Sequence, residues 1–272
     1  MAVVGHVEWV QFAHVEHVPH AGEVLHARAM LEEPAGGGAV AAAQLAKLAG
    51  SSKLLTALGE DEHGHRSVTR LGELGVQVHA SLRSEPTRTA LTLLDDGGER
   101  TIVTVGERLE PRGEEDELWS ALGQVDAIYF TAGDAAALRR ARGAARVLVA
   151  SPRAHLALGH GVGVDALVLS GNDEHERADA ESLEGEAELL VWTEAERGGH
   201  YRTRSGASGR WAAAELPGEP VDSYGCGDSF AAGLTYGLGV GLALEDALAL
   251  AARCGAACLT GRGPYEGQVG VR

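Results

Sequence analysis

Apolar residues along this chain fall into two kinds of run. Short, mostly apolar runs at 2–4, 52–58, 127–130, 147–150, 166–169 and 189–193 predict strands buried on both faces, where polar alternation is lost. Longer runs rich in Ala and Leu, at 39–48, 135–142, 229–238 and 244–260, predict helices. The punctuation agrees. Asp61 is placed to cap a helix that runs to Leu74 and stops at Gly75, 76–78 is a further strand, and Gly261 closes the last helix. From Leu118 onward strands and helices alternate, which predicts a mostly parallel sheet covered on both sides.

Two regions depart from this pattern. Residues 11–31 are rich in His and Val with loose alternation, and predict edge strands of a flap. Residues 89–94 and 101–105 flank Asp95-Asp96-Gly97-Gly98, a turn able to supply positive φ, and their Thr–aliphatic alternation predicts a two-faced hairpin. The expected architecture is a three-layer α/β/α sandwich with a mostly parallel central sheet. A small β lid is added by segments at about 11–31 and 88–106. No repeat or linker divides residues 1–272, so one domain is expected.

Composition narrows the class. At 44% hydrophobic residues the chain is globular, not disordered. A net charge of −16 makes a nucleic-acid polymer an unsuitable partner. The three cysteines, Cys226, Cys254 and Cys258, form no disulfide framework and point to a reducing compartment. The N-terminus lacks the basic region and long apolar core of a signal peptide, and no apolar run spans a bilayer. A cytoplasmic location without membrane contact is expected.

The candidate chemistry sits in Asp222-Ser223-Tyr224-Gly225-Cys226-Gly227-Asp228, directly before a helical pattern. Amides freed by such a turn, at the positive end of a helix dipole, suit a phosphate. Asp228 beside them is placed to take a proton from an attacking hydroxyl. An anion hole with a base next to it points to phosphoryl transfer, in which positioning and charge stabilisation supply most of the catalysis. Gly36-Gly37-Gly38 also precedes a helix, as either a close approach to ligand or a flexible loop. His14, His17 and His20 suggest a metal by their number, yet Pro19 breaks a helix and a strand would turn His17 away from its neighbours. Cys254 and Cys258 share a helix face and read as a buried stripe, and Arg153 as a surface ion pair.

The order of these motifs resembles the PfkB, or ribokinase-like, family of small-molecule kinases. The matching pieces are Gly36-Gly37, Gly59-x-Asp61-x-x-Gly64, Gly98-Glu99-Arg100-Thr101, Asn172, the stretch 193–199, the Asp222 to Asp228 signature and the Arg262-Gly263 turn. The resemblance implies an ATP-dependent kinase acting on a hydroxyl of a sugar, nucleoside or related polyol. It implies Asp228 as base and Gly225, Cys226 and Gly227 as the anion hole, with Cys226 a packed small residue. It further implies nucleotide contacts at Asn172, Thr193 and Gly198, a monovalent cation such as K+ at Asp222 and the Tyr224 carbonyl, and substrate contacts at Gly36 and Gly37. The lid is expected to close over the substrate and to join two copies as a homodimer.

Three positions depart from the family pattern. Val10 and Ala41 stand where a substrate-binding Asp and Asn are usual. Glu8, two residues from Val10, is either a replacement carboxylate or a solvated one. His175 stands at a usual Glu, leaving Glu174 or Glu176 to organise water around Mg2+. The losses at Val10 and Ala41 motivate a rival reading, a non-catalytic or regulatory kinase-like protein that binds a nucleotide or small ligand.

Overall fold

The structure, a computed structural model, describes residues 1–98, 100–174, 176, 183 and 185–270. Its strands in chain order are β1 (Ala2–Val4), β2 (Glu8–His14), β3 (Ala29–Ala35), β4 (Ser52–Gly59), β5 (Val76–Arg83), β6 (Thr89–Leu94) and β7 (Arg100–Val105). They continue with β8 (Val125–Phe130), β9 (Ala145–Ala150), β10 (Ala166–Ser170), β11 (Leu189–Thr193), β12 (Gly199–Thr203) and β13 (Ser208–Trp211). The helices are α1 (Gly37–Ala49), α2 (Glu62–Glu73), α3 (Asp116–Ser120), α4 (Ala135–Ala144), α5 (Cys226–Gly239) and α6 (Leu244–Cys258).

The central sheet runs β13-β12-β11-β10-β9-β8-β1-β4-β5 and is parallel except at β12 and β13. Strands covered on both sides send alternate residues into two cores. Val3, Leu54 and Val149 pack with Leu45 of α1, Phe230 of α5 and Leu248 of α6. Val4, Leu55 and Leu148 pack with Trp119 of α3 and Leu138 of α4. The three-layer α/β/α expectation therefore holds. The chain builds outward from β1 to β4 and β5, then returns to the other side of β1 with β8. Ligands of open α/β sheets bind at the carboxyl ends of strands beside such a reversal. Here those ends lead into Gly5 and Thr131.

The lid is a separate sheet, ordered β3-β2-β6-β7. β2 pairs antiparallel with β3 and parallel with β6, so the two predicted lid segments form one four-stranded sheet. Its strands reach beyond the predicted boundaries, from Glu8 on one side and to Ala35 on the other. The cause is a shared inner face. Val10 and Phe12 of β2 pack with Ala35, Val40 and Tyr224, which draws the strand ends toward the body. Pro34 is accommodated because β3 is an edge strand.

Elsewhere the predicted elements recur with longer ends. Asp61 caps α2 through Gly64 N–H at 2.8 Å, as expected. β5 continues to Arg83, well past the predicted Val78. α6 ends at Cys258, and Gly261 lies in the following turn rather than closing the helix. The β12–β13 hairpin was not foreseen, because its residues (Gly, His, Arg, Ser among them) carry no apolar run. No helix among the described residues is long and apolar enough to cross a membrane.

Candidate active site

Two helix N-termini meet at the sheet reversal. Gly225 caps α5 with φ +82°, a left-handed conformation that glycine adopts without strain. Beyond it, the N–H groups of Gly227 and Asp228 find no acceptor among the described residues. They belong to the unsatisfied first turn of a helix. Cys226 N–H only approaches Ser223 O at 3.5 Å, and Ser229 N–H is the donor that closes the helix onto Gly225 O at 2.8 Å. A methyl group added to Gly227 would meet nothing within 4 Å, so the space before these amides is open. An open set of amides on a helix dipole is an anion site.

α1 supplies the other terminus. A Cβ placed on Gly37 would lie 3.0 Å from Asp228 Oδ1 and 2.9 Å from Thr131 Oγ1, so only a bare backbone lets the three approach. Gly36 N–H donates to the Tyr224 hydroxyl at 3.2 Å, which ties the glycine turn to the signature. The half-buried Asp228 carboxyl has its pKa pushed up by loss of solvent, while Arg153 and Arg100 pull it back. Arg153 follows β9 and pairs at 3.5 Å with Glu176, whose other oxygen accepts Ser170 N–H at 2.7 Å. Arg100, from lid strand β7, donates to Ser223 O at 2.6 Å and Ser223 Oγ at 3.0 Å. The lid is thereby fastened to the anion loop.

Glu8 enters from the lid. It is buried, and it shares a face of β2 with Val10 and Phe12 under the period-two rule. Burial pushes its pKa up, against Arg88, Arg108 and the Tyr224 hydroxyl, and Asp228 lies near enough to raise it further. The alternative of a solvated Glu8 is thus removed. His6, also buried, has its pKa pushed down to about 3 by burial and then by Arg108, Arg153 and Arg88, so its ring is neutral.

The structure brings Gly36, Gly37, Glu8, Tyr224, residues 225–227 and Asp228 together, with Glu176 joined through Arg153. Asn172, Thr193 and Gly198 gather at the carboxyl ends of β10 and β11. There Thr193 Oγ1 donates to Leu169 O at 3.2 Å and Asn172 Oδ1 accepts from Arg197 at 3.1 Å. Asp222 is buried and accepts Tyr224 N–H at 2.8 Å and Gly263 N–H at 3.0 Å, so it joins the signature to the Arg262-Gly263 turn. Glu174 is exposed, and His175 and Glu99 lie outside the described residues.

Several expectations change. Val10 and Ala41 are fully buried in packed hydrocarbon, Val10 in the lid core and Ala41 inside α1. The His14, His17 and His20 argument fails on geometry. His17 and His20 lie in a loop, where their ligand atoms and those of Glu23 come within 4.8 Å of one another, while His14 stays on β2. His17 and Glu23 already bond at 3.0 Å in that loop. Cys226 behaves as a packed thiol, its pKa raised by contact with Cys258 and by burial. Arg153 does form its surface ion pair, and its charge also acts on Asp228. Arg88, Arg108 and Thr131 were missed. The one available signal was position, since Thr131 directly follows β8 at the sheet reversal.

Residues 1–152 and 165–269 match the family described as pfkB family carbohydrate kinase, and the chain belongs to that family. Its reach along the chain takes in the glycine turn, the lid and the signature alike. Among curated proteins, a probable fructokinase-5 of Arabidopsis thaliana is 29% identical over 278 residues, covering 86% of this chain and 84% of that protein. Among solved structures, Arabidopsis thaliana ribokinase complexed with ribose and ATP superposes with a TM-score of 0.77 at 20% identity, covering 99% of this chain and 95% of that one. Ribokinase from Giardia lamblia gives a TM-score of 0.80 at 17% identity, over 97% of this chain and 94% of the other. At these identities the solved structures speak for the fold.

Proposed function

We propose that this chain is an ATP-dependent kinase that phosphorylates a hydroxyl of a small polyol, with Asp228 as general base. The observation that carries the reading is the pair of free amides at Gly227 and Asp228, set beside the Asp228 carboxyl between two helix N-termini. Family membership and the ATP and ADP complexes among the structural relatives support it.

In this reading Asp228 accepts the proton of the acceptor hydroxyl as its oxygen attacks the γ-phosphorus. The new P–O bond forms, the bond to the bridging oxygen breaks, and ADP leaves with that electron pair. The free amides of Gly227 and Asp228, one residue further along than the expected 225–227, are backed by the α5 dipole and hold the charge that builds on the phosphoryl oxygens. The Arg153 charge acts on the same carboxyl and adds charge stabilisation at the rim. Arg100 holds the lid over the loop and helps exclude water. Asn172, Thr193 and Gly198 receive the nucleotide, and Gly36, Gly37 and Glu8 the acceptor.

Glu176, with Glu174 nearby in sequence, would organise Mg2+ in this reading; the ion prefers oxygen ligands and would neutralise phosphate charge. Asp222 is buried with no ion-pair partner among the described residues, and the Tyr224 carbonyl lies close in sequence. That donor set fits a monovalent cation such as K+. The lid's edge strand β7 exposes Ile102, Val103 and Val105, which supports pairing of two lids in a homodimer.

The test is ADP release across neutral and charged sugars, sugar acids and nucleosides with ATP, Mg2+ and K+. The account expects a phosphorylated product with the parent and none with Asp228→Asn. Equal rates for the two proteins would overturn it.

A further inference from the structure

The histidines of the lid take no part in the chemistry described above. His14 ends β2, and residues 15–28 then loop back to β3 without helix or strand of their own. A connection of that length without regular structure is uncommon and is usually functional. Glu8 opens the same strand, so the loop begins about 20 Å of strand away from the Glu8 end of the site. The two ends of the loop are fastened. Val15 N–H donates to Leu94 O at 2.9 Å, Arg28 N–H donates to His14 O at 2.7 Å, and Arg28 pairs with Asp96 at 2.8 Å. Its middle has no core to pack on, and Val24 there is 82% exposed.

The middle holds a convergence of metal-type donors instead. One ligand atom each from His17, His20 and Glu23 lies within 4.8 Å of the other two. His17 Nε2 is 3.0 Å from Glu23 Oε1 and 3.1 Å from Oε2. Glu23 Oε2 also accepts the His20 N–H at 2.9 Å, and the Glu23 N–H donates to His20 O at 3.0 Å. The turn that permits this passes through Gly22 at φ +87°. The carboxylate is thereby fixed toward His17, and the His17 and His20 ring centroids lie 5.8 Å apart. Among the described residues, every side-chain hydrogen bond of 17–27 falls within this group, and the His20 ring makes none. One proton satisfies the His17–Glu23 pair but leaves the His20 ring beside it unused. A metal ion uses all three.

The dimensions suit such an ion. Bonds of about 2.0–2.2 Å to imidazole nitrogen and carboxylate oxygen set tetrahedral ligands roughly 3.3 Å apart. The His17–Glu23 edge already has nearly that length, and the exposed His20 ring closes the remainder by turning about its side-chain bonds. Two imidazoles with one carboxylate favour a borderline divalent ion such as Zn2+ over Mg2+, which prefers oxygen alone. The His20 N–H serves as the outer partner that orients the carboxylate.

We infer that His17, His20 and Glu23 form a binding site for a divalent transition-metal ion of the Zn2+ class, which clamps the lid loop between β2 and β3. Three protein ligands leave the fourth position to water. The inference goes beyond the kinase reading and stands without it.

The test is calorimetric titration of Zn2+ into the full chain in buffer containing Mg2+. One ion per chain is expected, with a Kd of about 10 μM or tighter. Co2+ in its place should give the visible bands of a tetrahedral site and no thiolate charge-transfer band, which separates this site from Cys226, Cys254 and Cys258. His17→Ala, His20→Ala and Glu23→Gln are each expected to weaken Zn2+ binding by at least about 10-fold, since even outer partners of a metal are worth that much. His26→Ala, in the same loop, should change it by less than about twofold. Zn2+ should also slow amide hydrogen exchange in residues 15–28. Absence of stoichiometric binding, a thiolate band, or an affinity that survives all three ligand substitutions overturns the inference, as does exchange in 15–28 that Zn2+ leaves unchanged.

Discussion

The two ends of the site are built by different means. The phosphate end is backbone: Gly225 turns the chain, Gly227 leaves open space, and the amides of α5 face it. The proposed acceptor end is side chain: His6 and Glu8, Arg88, Arg108 and Arg153 arrive from four separate places in the sequence. The positions at which the family usually carries a polar pair are packed apolar here, at Val10 and Ala41. In the proposed reading, this contrast is what lets one fold keep its chemistry while its acceptor pocket varies. The amides and the base are held by helix starts that the core fixes, whereas the pocket can be rewritten one side chain at a time.

The largest expected effect lies at the first end. Asp228→Asn is expected to lower kcat by about 10²- to 10⁴-fold, the usual worth of a general base, with ATP-analogue affinity unchanged by calorimetry. Parent-like kcat would erase the distinction between the two ends. Next comes Gly37→Ala, whose methyl would meet Asp228 Oδ1 at 3.0 Å and Thr131 Oγ1 at 2.9 Å. Displacement of the base on the order of an ångström costs roughly 10²-fold in kcat. Circular dichroism should show α1 retained, and an undiminished rate would mean that the close approach has no catalytic consequence.

The pH profile sharpens the comparison with a smaller effect. Asp228 must be ionised to act, and burial raises its pKa, so kcat/KM should be high at neutral pH and fall as pH drops through the raised value. The acidic limb is expected above the ordinary Asp value of about 3.9. Arg153 favours the ionised form, so Arg153→Gln should move that limb to still higher pH. A limb that stays in place would disconnect Arg153 from the base. The smallest effect concerns assembly. Ile102→Lys on the exposed edge strand β7 should convert a dimer to a monomer by light scattering and leave kcat within about twofold, since an exposed substitution away from the site changes little. A parent protein that is already monomeric would remove the lid-to-lid contact from the account.

The backbone end was legible in the sequence for a physical reason. Glycines at fixed offsets before an apolar helix encode a turn and a helix start locally, so the Asp222 to Asp228 signature carried its own geometry. The parallel sheet was legible too, because buried strands such as 127–130 leave unbroken apolar runs. The acceptor end was not. Arg88 and Arg108 lie beside lid strands with nothing in their spacing to bring them to His6, and only the crossing of the two sheets does so. The parallel pairing of β2 with β6 inside the lid joins segments far apart in sequence, which local spacing does not reveal either. The β12–β13 hairpin escaped because its strands carry polar residues and glycines in place of an apolar run.

The most direct measurement is a crystal structure with a non-hydrolysable ATP analogue. The account predicts γ-phosphate oxygens within hydrogen-bond reach of the Gly227 and Asp228 N–H groups, about 2.7–3.2 Å, with the Asp228 carboxylate turned toward the acceptor pocket. A terminal phosphate seated away from the start of α5, with those amides bound to protein or water instead, would contradict it.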